Sequence, residues 1–178
     1  MILFDMDGVL VKYDRKMYEG DNPIWLQVGK HAFRNLEPDP TAVELFKSVA
    51  RVLPNDIRIL TSISDKNPDI AIEQAVDKML WCGDNLGPDF KPSMFMACMT
   101  EKSDIIMAIK GMRLSKSDIL IDDYNKRLYS WASAGGTPFK YLNGINSINS
   151  WPSCYYLDSS NSSEDLYKYF LDCYLMLN

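Results

Sequence analysis

The chain has 178 residues, 47% of them hydrophobic, and a formal net charge of -5. This composition excludes disordered and fibrous classes and suffices for one domain with a sizeable core. The acidic balance argues against binding polymeric nucleic acid or an anionic membrane, since either needs a basic face. The cysteines, Cys82, Cys98, Cys154 and Cys173, lie far apart without a CxxC pair, and His31 is the lone histidine, so a zinc site is not expected. No apolar run approaches membrane-spanning length, and with strand-like sequence from the first residues no signal segment is expected. A cytoplasmic protein with reduced thiols is expected.

Met1 to Leu10 reads MILFDMDGVL. An apolar run of strand length, Met1 to Phe4, delivers Asp5 and Asp7, and Gly8 then allows a sharp turn. Carboxylates this close repel when both are ionised, so a cation must neutralise them or one must keep a proton. A divalent metal with one nucleophilic carboxylate suits attack on phosphorus, and the second aspartate can serve the leaving oxygen. Asp-x-Asp-Gly also opens calcium loops, but those need a further Asp or Asn, a Gly and a closing Glu between helices. Here Val9-Leu10-Val11 follows instead. A plain surface turn is the other bland reading.

Lys12 to Asn35 mixes Tyr13, Tyr18, Trp25 and Phe33 with Gly20, Pro23 and Gly29, and keeps no long period. It reads as a small loop-rich lid, at about residues 12–36, placed to arch over the aspartates. The aromatics equally suit pinning the insertion to the body. After Pro38-Asp39-Pro40, Thr41 is expected to cap a helix with Glu44 at the capping-box position, an apolar face from Val43 to Leu53, and a stop at Pro54-Asn55. Ile57 to Leu60 is a strand ending in Thr61 and Ser62, whose hydroxyls and turn amides suit a phosphate, although such residues are more often turn formers.

Asp69 to Trp81 is a predicted helix with Ile70, Ile72, Val76, Met79 and Leu80 inward, followed by a loop over Gly83 to Pro92. Met94 to Met99 is a third strand, and Thr100-Glu101-Lys102 opens a helix to Met112. A lysine in a first turn sits against the helix dipole unless an anion is bound there, though a solvated lysine explains it too. Asp118 to Ile121 is a fourth strand delivering Asp122 and Asp123, which repeat the electrostatic problem of Asp5 and Asp7. A shared cation answers both. Lys126 to Ala134 is a helix, Pro138 to Leu142 a strand, Cys154 to Leu157 an edge strand, and Ser163 to Leu175 a last helix; the Asn- and Ser-rich stretch from Asn143 to Ser163 has no assigned function.

Alternating strands and helices imply an α/β fold, a three-layer Rossmann-like arrangement on a mostly parallel sheet with a short cap insertion after the first strand. Ligands bind such sheets at the carboxyl ends of the strands. That rule gathers Asp5, Asp7, Thr61, Ser62, Asp122 and Asp123 at one edge, with Lys102 nearby.

The ordered set DMDGVL, TS, Lys102 and LIDD resembles the haloacid-dehalogenase-like phosphohydrolases over Met1 to about Asn143. Within them the chain is similar to the 5'(3')-deoxyribonucleotidase branch. The branch matches are Asp5 to Leu10, Phe33 with Leu36-Glu37-Pro38, Pro40, Ala42-Val43-Glu44, Thr61-Ser62, Gly87-Pro88-Asp89-Phe90, Lys102 and Asp118 to Asp123. The resemblance implies that Asp5 is the nucleophile and Asp7 the acid and base. It implies Mg2+ on the Asp5 carboxylate, the Asp7 main-chain carbonyl and Asp122, with Asp123 beside them. Thr61, Ser62 and Lys102 would hold phosphate, and Phe33 would stack on a nucleobase. The insertion is shorter than the family's cap, Ile63 stands where the family often has proline, and Tyr124 replaces an arginine. The expected function is a magnesium-dependent phosphomonoesterase for nucleoside monophosphates. The alternatives are a phosphatase for sugar phosphates or other small metabolites, and a phosphate-binding module without turnover. Composition leaves a homodimer open.

Overall fold

The computed structural model describes residues 1–14, 16, 31–63, 68–87, 94–98, 101–145 and 155–178. Tyr18, Gly20, Pro23, Trp25 and Gly29 of the expected lid lie outside them, as do Pro88, Asp89, Phe90, Thr100 and Cys154. The strands are β1 (Ile2–Phe4), β2 (Ile57–Ile63), β3 (Met94–Cys98), β4 (Ile119–Asp122), β5 (Thr137–Leu142) and β6 (Tyr156–Asp158). The helices are α1 (Pro40–Val52), α2 (Pro68–Leu86), α3 (Lys102–Lys110), α4 (Asn125–Ser133) and α5 (Ser163–Leu177).

The sheet is six-stranded, in the order β3-β2-β1-β4-β5-β6, and every pairing is parallel. β1 sits inside it, with Phe4 opposite Ile59 on one side and Ile121 on the other. A strand paired on both edges and covered on both faces has no polar position to spare, which is why β1 and β4 are fully buried. Ile2 and Phe4 join a core cluster with Val43, Phe46, Trp81 and Phe170, contributed by α1, α2 and α5. Leu3, between them, faces the second cluster with Ile106, Leu128 and Trp131 of α3 and α4. The period-two alternation of β1 thus divides the helices into two layers around the sheet. Phe4 meets Phe46 edge to face at 5.0 Å.

Several local expectations need correction. Asp39, not Thr41, caps α1: its side chain accepts from the amides of Thr41 and Ala42 at 3.0 and 3.1 Å, and Pro40 takes the first helical position. Aspartate caps at least as well as threonine, and proline is pre-set for that first position. β2 includes Thr61 and Ser62 and runs one residue past them, to Ile63. α2 is longer than expected and ends at Leu86, where a loop was expected. β6 starts at Tyr156, two residues later than the expected edge strand.

The largest correction concerns which face of α2 is buried. Ile72, Val76, Met79 and Leu80 are exposed, while Gln74, Asp77, Lys78, Trp81 and Cys82 are buried. Two of the inward positions are filled by charged residues that have partners in the segments below, so the helix lies rotated from its apolar face. Trp81 anchors it, donating its ring N–H to the Leu36 carbonyl at 2.8 Å.

Candidate active site

The reversal of strand order falls between β1 and β4, the place where parallel α/β sheets open a crevice at their carboxyl ends. Asp5 follows β1, and its amide donates to the Ile121 carbonyl at 2.9 Å, so β1 and β4 reach the crevice level with one another. Past Asp5 the backbone folds on itself: Gly8 donates to Val11, and Val9 and Val11 both donate to the Met6 carbonyl. This tight loop requires a positive φ at Gly8, +83°. A β-carbon there would stand 2.3 Å from Asp123 Oδ2, so glycine lets the loop and the β4 carboxylate close on each other.

Two buried lysines divide the predicted residues between them. Lys102, the first residue of α3, places its ammonium 2.7 Å from Asp5 Oδ1 and 2.7 Å from Asp122 Oδ2. Burial opposes its charge, but Asp122 and Asp5 outweigh that and hold its pKa above the ordinary lysine value. Burial drives the Asp5 carboxyl the other way from its usual range, up to about 7; Lys102 opposes the rise, and Asp122 and Asp7 add to it. Asp122 Oδ1 accepts from the Tyr124 amide at 2.7 Å.

Lys78 of α2 is the second node. Its ammonium donates to Asp7 Oδ2 at 2.5 Å, to Thr61 Oγ1 at 2.8 Å and to the Ser62 carbonyl at 2.8 Å. The Phe33 ring lies over it, its centroid 5.0 Å from Nζ, and also stacks on Tyr13. Phe33 itself is only 6% exposed. Asp7 Oδ1 is buried and has no hydrogen-bond partner among the described residues.

Asp123 is held from two directions. Asn143 donates to its Oδ2 at 3.1 Å and to the Gly8 carbonyl at 2.7 Å, and Lys140 donates to its main-chain carbonyl. Asp5, Asp122 and Asp123 are all buried and each offers a carboxylate oxygen, all within 4.8 Å of one another. Asp5, Asp7, Asp122 and Asp123 bring four carboxyl groups to the crevice, with Lys78 on Asp7 and Lys102 between Asp5 and Asp122. A cluster of buried carboxylate oxygens fits a hard divalent cation such as magnesium.

Comparison with solved structures finds the same architecture in a D,D-heptose 1,7-bisphosphate phosphatase from B. bronchiseptica complexed with magnesium and phosphate. It is 13% identical, with a TM-score of 0.60 over 96% of this chain and 97% of that one. The chain has the haloacid dehalogenase-like fold. A second D,D-heptose 1,7-bisphosphate phosphatase, from Burkholderia thailandensis, shares the haloacid dehalogenase-like architecture at 9% identity and a TM-score of 0.56, over 95% and 97% of the two chains. A HAD-superfamily hydrolase from Ehrlichia chaffeensis does so at 16% identity and 0.54, over 97% and 96%. No protein-family profile matches the sequence, and no curated protein matches it.

On this haloacid dehalogenase-like sheet the residues singled out from sequence, Asp5, Asp7, Thr61, Ser62, Lys102, Asp122 and Asp123, all lie at the carboxyl ends of β1, β2 and β4 or at the start of α3. Lys78, Asn143 and Lys140 were not anticipated. Lys78 escaped because an α2 with its apolar residues inward puts Lys78 in solvent. Lys140 is the residue opposite Asp122 in the β4–β5 register, and a lysine in an otherwise buried strand was a signal available beforehand.

Proposed function

We propose that the protein is a magnesium-dependent phosphomonoesterase of the haloacid dehalogenase-like type, acting on a small phosphorylated metabolite through an aspartyl-phosphate. The observation that carries this reading is the pair Asp5 and Asp7 at the end of β1, with Lys102 bridging Asp5 to Asp122 at 2.7 Å on each side. Phosphoryl transfer needs positioning and charge neutralisation, and these groups supply both.

In the first half-reaction an Asp5 oxygen bonds to phosphorus as the ester P–O bond breaks. The bond pair leaves with the ester oxygen, which takes the proton held by Asp7. In the second, Asp7 accepts a proton from a water whose oxygen attacks phosphorus; inorganic phosphate leaves and the Asp5 carboxylate is restored. Lys102, Thr61 and Ser62 would hold the phosphoryl oxygens. Magnesium, held by the Asp5 and Asp122 carboxylates and the Asp7 main-chain carbonyl with Asp123 alongside, would neutralise charge on those oxygens.

Sugar phosphates take first place as substrates. Similarity to two heptose bisphosphate phosphatases supports that class, and the burial of Phe33 against Tyr13 and Lys78 leaves little of its ring open to stack on a nucleobase. Nucleoside monophosphates remain the second reading, on the sequence matches around Phe33. Phosphate release is to be measured with magnesium and with EDTA across sugar phosphates, nucleoside monophosphates and p-nitrophenyl phosphate. Metal-dependent release is expected, highest for a sugar phosphate, and Asp5→Asn should abolish it while leaving the circular dichroism spectrum intact. Wild-type-like turnover by Asp5→Asn would sink the mechanism; a nucleotide as best substrate would reverse the order of substrates.

A further inference from the structure

We propose that Lys78 is a positioning residue for leaving-group departure: it fixes the Asp7 carboxylate so that Oδ1 is the oxygen that carries the proton to the ester oxygen. The inference rests on the phosphomonoesterase reading and deepens it. An ammonium has three donors, and those of Lys78 are taken by Asp7 Oδ2, Thr61 Oγ1 and the Ser62 carbonyl. The side chain is fully buried, so each donor must find such an acceptor for the charge to be tolerated at all.

The position of these acceptors is what points to the reaction. Asp77, its neighbour on α2, points elsewhere and pairs with His31 Nδ1 at 2.8 Å, while Lys78 reaches into the crevice. There it ties the loop after β1 to the end of β2, with Phe33 closing over the ammonium. One Asp7 oxygen is thereby occupied and held. The other, Oδ1, is buried without a partner among the described residues, which suits an atom whose partner is the substrate. Lys78 touches neither phosphate nor leaving group in this scheme; it acts through Asp7 and Thr61.

The distinguishing measurement is how kcat/KM depends on the leaving group, because kcat/KM reports the steps through loss of the alcohol. A p-nitrophenolate departs with little need of a proton, whereas an alkoxide requires one. Lys78→Met and Lys78→Gln are to be compared with wild type on p-nitrophenyl phosphate, phenyl phosphate and glycerol phosphate. For Lys78→Met the loss on glycerol phosphate should reach about 100-fold, at the low end of what a placed general acid contributes, and stay under about tenfold on p-nitrophenyl phosphate. Lys78→Gln, which keeps a donor, should fall between. Equal losses across the series would overturn the proposal, since they would mark Lys78 as a structural strut. Failure of both variants to fold would overturn it in the same way. Wild-type protein inert towards every ester would remove the phosphomonoesterase reading itself, a different result from an active wild type with uniform losses.

Discussion

Gly8 accepts no side chain without a shift in its surroundings. Its φ of +83° disfavours any side chain, and the missing β-carbon leaves the space taken by Asp123 Oδ2. Left-handed backbone costs an L-residue about 1–2 kcal/mol before any clash is counted. Gly8→Ala should therefore lower stability by at least about that much and abolish metal-dependent turnover, because either the Asp7 loop or Asp123 must give way; urea titration and phosphate release check the two effects. Much of the chemistry around Gly8 was legible in the sequence. Paired carboxylates after an apolar strand pose an electrostatic problem that only a few environments solve, and Asp5, Asp7, Asp122 and Asp123 declare it by spacing alone. Asn143 declares nothing. It reaches Gly8 and Asp123 through folding of distant segments, and an asparagine in an Asn-rich stretch carries no pattern of its own.

At the scale of the element, α2 shows where apolar periodicity misleads. The rule assumes that a helix turns its greasiest face to the core. α2 instead turns Lys78 and Asp77 inward, where the ends of β1 and β2 and the segment at His31 supply their partners, and it leaves Ile72 63% and Met79 60% exposed. Its hold on the body is Trp81, fully buried with its ring N–H satisfied. Met79→Lys should then shift stability by less than about 0.5 kcal/mol, as exposed positions do, while Trp81→Ala should cost about 3–5 kcal/mol. Chemical denaturation of the two variants measures both; the reverse ranking would restore the expected face. Strands were read better than helices here. β1 and β4 are buried at every position, so an apolar run is enough to mark them, whereas a helix face depends on what lies beneath it.

For the molecule as a whole, the crevice couples protons, metal and stability. The Asp5 carboxyl titrates higher in the fold than in an unfolded chain, up to about 7. Protonation therefore favours the folded state: the contribution is fully present below the ordinary carboxylate range and is lost as pH rises through about 7. Magnesium needs the deprotonated group, so the two compete. The rise in thermal midpoint on adding magnesium in place of EDTA should accordingly grow as pH is raised through about 7. A rise that is flat or falling across that range would contradict the assignment of Asp5 to the metal site.

The bond from Asn143 to Gly8 spans 135 residues, and β1 takes one neighbour from β2 and the other from β4. Such long-range pairings form only after the loops between them have been closed, and they are slow for that reason. β1 therefore gains both of its neighbours only once the chain as far as β4 is available, although it comes early in the sequence. A nascent or truncated chain that stops short of β5 lacks the Asn143 tether on Asp123, and one that stops short of β4 lacks Asp122 altogether. The crevice is in this sense a property of the finished molecule: its carboxylates and the tether that holds them come together only when β1, β4 and the end of β5 are all present.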